Sequence, residues 1–161
     1  NTYSFFSLYA NIDKFKFTGS NFNIEKLDKL DKWILSELNT LILNCSKNFD
    51  AFEPTKVCRD IQFFVVNKLS NWYVRLSRRK FWKGEYNESK VSAYQTLYEC
   101  LEKIAIISSP VIPFYSNRLF NDLNKISKRH KIDSVHLASF PNASLEIINK
   151  KLENQMIFLI F

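Results

Sequence analysis

Apolar residues recur every three or four positions through most of this chain. Leu30, Ile34, Leu38, Leu41 and Cys45 fall at i, i+4, i+8, i+11 and i+15, which predicts one long helix from about Asp31 to Asn48. Asp50-Ala-Phe-Glu-Pro54 then reads as a turn. Pro54 suits the first position of a second helix, where its missing N–H is not needed. That helix should run to about Lys83, with Gly84 as its left-handed stop. Asn87 or Ser89 can cap a third, in which Tyr94, Leu97, Leu101 and Ile104 share a face. Pro110 and Pro113 break the pattern, and a fourth helix follows from about Phe114 to Asn124.

The ends are less regular. Thr2 to Ile12, with Phe5, Phe6, Leu8 and Tyr9, reads as a short buried helix, and Asp13 to Lys26 as a polar connector. Lys125 to Lys131 reads as a basic connector. The alternation of Val135 and Leu137 allows a brief extended segment, and Ser144 to Phe161 resumes a helix. The predicted fold is therefore an all-α bundle of four main helices with helical extensions at both ends. It divides into a leading segment 1–26, the bundle 27–131 and a C-terminal extension 132–161. The start reads as mid-helix, and the final Met156-Ile-Phe-Leu-Ile-Phe161 as a helix parted from its packing partner, so the chain reads as a fragment. That tail is too short to cross a bilayer, and neither a signal peptide nor a membrane span is visible.

Composition agrees with helices. The chain has 161 residues, 46% hydrophobic and 16% aromatic, enough for one domain with a substantial core. Only 2 Gly and 4 Pro disfavour a turn-rich all-β fold. A net charge of +7 points toward a polyanionic partner. Cys45, Cys58 and Cys100 are widely separated, which argues against zinc or disulfides and for free thiols in a reducing cytosol. His130 and His136 lack metal-ligand spacing, so no metal site is expected. No Gly-rich phosphate loop or Ser-His-Asp set is present, and no catalytic residue is proposed. Acidic pairs such as Asp28/Asp31 sit at helix starts, where they stabilise the terminus.

The chemistry concentrates in Leu69-Ser-Asn-Trp-Tyr-Val-Arg-Leu-Ser-Arg-Arg-Lys-Phe-Trp82. At about 100° per residue, Trp72, Arg75, Arg79 and Trp82 form one stripe, with Arg78 beside it. Guanidinium groups flanked by indoles suit phosphates and unstacked bases. The same pattern also suits a solvated helix face whose aromatics are core, a scaffold that pairs with acidic helices, or a membrane-surface module. Trp33 and Trp72 read as core and Trp82 as the stacking residue. Lys125, Lys128, Arg129 and Lys131 read as a solvated loop or a peripheral phosphate contact.

Leu69-Ser-Asn-Trp-Tyr-Val-Arg75 followed by Ser77-Arg-Arg-Lys-Phe-Trp82 resembles a helix of the isoleucyl-tRNA synthetases. Phe5-Phe6-Ser-Leu-Tyr9-Ala-Asn-Ile-Asp13, Asp31-Lys-Trp-Ile-Leu-Ser-Glu-Leu-Asn39, Ala93-Tyr-Gln-Thr-Leu97-Tyr98, Ser109-Pro-Val-Ile-Pro-Phe114 and Ser134-Val-His-Leu137 match that family in order. The resemblance implies an anticodon-binding helical bundle from a cytoplasmic, monomeric enzyme that joins isoleucine to its tRNA using ATP and Mg²⁺. It implies that the catalytic motifs and the editing domain lie outside this sequence, so that the fragment itself binds tRNA and holds no cofactor. The contacts it implies are Arg75, Arg78, Arg79, Lys80 and Trp82 on the anticodon stem-loop. Leu76 stands where the family often has arginine. Lys80 replaces another, which keeps the charge but loses the planar fork.

Overall fold

The computed structural model describes residues 2–17, 19, 24–83 and 85–160, the last three by their backbone alone. Its helices are α1 (Thr2–Ile12), α2 (Lys29–Asp50), α3 (Pro54–Phe63), α4 (Arg75–Trp82), α5 (Glu88–Ser108), α6 (Pro113–Ser127) and α7 (Lys150–Ile160). A π-helical segment, Phe64–Val74, joins α3 to α4 without a break, since Phe63, Phe64, Val74 and Arg75 all keep right-handed helical dihedrals. Counting 54–82 as one rod, the bundle has the four main helices that the periodicity predicts, with α1 and α7 as its extensions. No strand occurs among the described residues.

Local chemistry sets most of the boundaries. Asp28 caps α2, its carboxylate accepting the Asp31 N–H at 2.8 Å, so the helix starts slightly before the predicted Asp31. Asn87 caps α5 in the same way through the Lys90 N–H. Pro54 and Pro113 open α3 and α6. Lys83 leaves α4 with extended dihedrals, and Gly84 lies outside the described residues.

Three expectations are corrected. The fourth helix continues to Ser127, so Lys125 is helical. The chain turns at Lys128, whose left-handed φ of 51° ends α6. Val135–Leu137 is a 3-10 turn capped by Ser134, not an extended segment, because Asn117 accepts both the Ser134 hydroxyl and the Val135 N–H. The last helix begins at Lys150 rather than Ser144. Asn149 caps it, accepting the Leu152 N–H while donating its own N–H to Ser36 on α2 at 2.7 Å.

The core is aromatic and lies around α5, which packs against α1, α2, α4 and α6. Trp33, Tyr73, Tyr94, Phe64, Phe81 and Phe120 are fully buried within it. Polar groups tie the extensions down. Buried Glu153 of α7 accepts hydrogen bonds from Ser36 and Thr40 of α2, at 2.6 and 2.9 Å. Lys90 of α5 meets Asp13 just beyond α1, and the Tyr94 hydroxyl donates to the same carboxylate. Cys45 and Cys100 are buried free thiols, and Cys58 is an exposed one.

Candidate nucleic-acid interface

The inner face of α4 decides what its outer face presents. Ser77 and Phe81, one turn apart, are buried; the Ser77 hydroxyl donates to the Tyr73 carbonyl, and Phe81 packs edge-on against Phe5 and Tyr94. The remaining positions must face out. Arg75, Arg78, Arg79 and Trp82 are all exposed, as is Leu76. No carboxylate among the described residues lies within ion-pair distance of Arg75, Arg78 or Arg79. Arg78 lies over Phe5 at 5.9 Å and over Trp82 at 5.7 Å from the ring centres.

Trp72 does not join them. Buried positions in the π segment are Phe64, Leu69, Tyr73 and Val74, at i, i+5, i+9 and i+10, a wider period than an α-helix has. A 100° projection across that segment puts Trp72 on the wrong face, and the indole instead packs partly buried against the core.

Lys80 is the sequence-predicted contact that the structure holds apart from the stripe. Its ammonium meets the Asp28 carboxylate, and Asp31 at 3.5 Å, both at the start of α2. The Tyr73 hydroxyl donates to buried Asp31 at 2.5 Å, so the cluster ties α2 to the rod that carries the arginines. Burial raises the Asp28 carboxyl, but Lys80 and the Asp31 N–H outweigh it and hold it below its ordinary value. Asp31 goes the other way. Burial pushes it up from 3.8 to about 6, although Lys80 and Tyr73 oppose the shift.

That shift has a sign. Between about pH 4 and 6 the folded state binds the extra proton, so this term fades as pH rises through that window. It differs from the Asp28 term, which is lost as pH falls through a lowered value. Asp31→Asn should therefore gain on the native chain by up to about 3 kcal/mol between about pH 4 and pH 7. Urea midpoints of both proteins at the two pH values measure it, and parallel behaviour would refute it.

The second basic cluster divides as well. Arg129 bridges Glu99 at 2.8 Å and Glu102 at 2.7 Å and covers the Phe17 ring, so it holds the fold. Lys125 lies near Asp122, whereas Lys128 and Lys131 are exposed. Sequence reasoning missed Phe5 as a neighbour of the arginines. Its apolar character signals only a core position, and nothing local connects it with residues some seventy positions later.

Comparisons with known proteins bear on this surface. A family described as the anticodon-binding domain of tRNA ligase matches residues 31–160. The chain is 50% identical to an isoleucine–tRNA ligase of Cytophaga hutchinsonii over 97% of its length, which is 14% of that protein. It is 49% identical to the ligase of the same name from Bacteroides thetaiotaomicron and 39% identical to that of Clostridium tetani, again over 97% of this chain. It spans about one seventh of the length of these relatives.

Proposed function

The chain belongs to the family of anticodon-binding domains of tRNA ligases, and from that membership we propose that it docks on the anticodon stem-loop of an isoleucine tRNA as part of an isoleucine–tRNA ligase. The observation that carries the reading is the outer face of α4, where three exposed guanidinium groups without carboxylate partners stand beside an exposed indole.

Arg75 and Arg79 bind the phosphate backbone, and each contact releases counterions that had screened the RNA. Arg78, between Phe5 and Trp82, offers a flat cation suited to a phosphate or a base face. Trp82 stacks on a base that has left the loop, and single-stranded loops are where protein side chains can read RNA sequence. Lys80 acts indirectly, by fixing α4 to α2.

In such a ligase ATP and Mg²⁺ serve the joining of isoleucine to tRNA, which we assign to parts outside this sequence. Among the described residues no group of three His, Cys, Asp or Glu is placed to hold a metal ion. The same reading makes the domain monomeric and cytoplasmic. No described helix is long and apolar enough to cross a membrane.

Fluorescence anisotropy with an isoleucine-tRNA anticodon stem-loop and an anticodon-scrambled control, at several salt concentrations, tests the proposal. The cognate loop should bind tighter by about 1–3 kcal/mol per base read, with affinity falling steeply with salt. Equal binding to both loops would reduce the surface to a basic helix face.

A further inference from the structure

Where α1 meets the junction of the π segment and α4, an open cleft of about 310 Å³ adjoins the arginine stripe. Phe5 and Val74 supply its apolar part, Thr2, Ser70 and Asn71 its neutral polar part, and Arg75 and Arg78 its charge. Its size falls at the lower end of the about 300–1,000 Å³ typical of small-ligand sites.

Its walls are set before any ligand arrives. Phe5 is held by Phe81 edge-on at 5.2 Å and by Tyr9 at 4.9 Å, and Val74 is buried. The side chains of Ser70 and Asn71 make no hydrogen bond to another described residue. A carboxamide and a hydroxyl together offer both donors and acceptors. An apolar wall, an unpaired amide and two cations are three different demands on a ligand. A free phosphate would use only the cations, and an acidic peptide would leave the flat apolar wall unused.

We infer that this cleft takes one unstacked nucleotide of the bound RNA loop, with the base against Phe5 and Val74, its edge on Asn71 and Ser70, and its phosphate on Arg75 and Arg78. The inference rests on the stem-loop reading above and adds to it a base-reading site, in which Asn71 is the residue that discriminates. Preformed walls reduce the ordering that binding must impose, which favours a single base over a flexible surface contact.

The test is a double-mutant cycle by anisotropy. Each nucleotide of the stem-loop's single-stranded loop is replaced in turn by an abasic residue, and each RNA is titrated against the native chain, Asn71→Ala and Phe5→Ala. One abasic position should weaken the native chain about tenfold and cost clearly less in Asn71→Ala and in Phe5→Ala, each of which has already lost part of the contact to that base, with the salt slope unchanged. Asn71 is exposed, so that variant keeps its fold even if Phe5→Ala does not. Additive losses at every loop position, with cognate preference retained, would overturn the cleft assignment and leave the stem-loop reading standing. Loss of cognate preference in the native chain itself would overturn both.

Discussion

Replacing Arg75, Arg78 and Arg79 together with alanine is expected to weaken binding to the anticodon stem-loop by at least about a hundredfold at low salt, since hydrogen bonds to charged groups contribute about 1.5–3 kcal/mol each. The salt slope should fall by about 2, because each phosphate contact accounts for about 0.7–0.9 of it. The fold should survive. All three side chains are exposed and none has a carboxylate partner among the described residues, so stability should change little. Lys80→Ala makes the contrasting case. It should lower stability while leaving the salt slope nearly unchanged, because it leaves buried Asp31 without its cation. Anisotropy and thermal melts on the two variants separate the roles. Native-like RNA binding by the triple variant would remove α4 from the interface.

Glu102→Ala should be among the most destabilising single changes in the chain. The carboxylate is 1% exposed and serves several partners at once. Arg129 reaches one oxygen at 2.7 Å, His130 reaches the other at 3.0 Å, and the Tyr98 hydroxyl lies at 3.4 Å. Without it, half-buried Arg129 loses one of its two carboxylate partners, and the His130 ring loses its acceptor beneath the loop that follows α6. Breaking a buried ion pair from one side costs about 3–5 kcal/mol. For a domain of this size that corresponds to a melting temperature lower by roughly 10 °C. Glu102→Gln, which keeps an acceptor and the shape, should fall between the two. A melting temperature within about 2 °C of the native value for the alanine variant would show that the Glu102 carboxylate is not needed to hold this corner of the fold.

Much of this architecture was legible before any coordinates. Apolar spacing placed α2 and α5, Pro54 marked a helix start, Asn87 or Ser89 a cap, and Pro110 and Pro113 a break before the next helix, because periodicity and capping act within a few residues. Legibility failed where a distant group intervened. Asn117 curls Val135–Leu137 into a turn, and Ser36 and Thr40 on α2 place the onset and seat of α7. Trp72, read as core, does pack partly buried against it, but the 100° projection that also set it on the arginine stripe does not hold across the π segment.

For the interface, the sequence by itself determined the supply: helices, a net charge of +7, and arginines interleaved with aromatics near the end of one rod. Those are properties of composition and short-range order. Tertiary structure decided which charges remain available. Lys80 is taken by Asp28 and Asp31, 52 and 49 residues away, and Arg129 by Glu99 and Glu102, 30 and 27 residues away. Phe5 was brought to Arg78, and Ser70 and Asn71 to the same cleft. The physical reason is that a helix sets which way a side chain points, whereas pairing of charges depends on what the packed chain places opposite it.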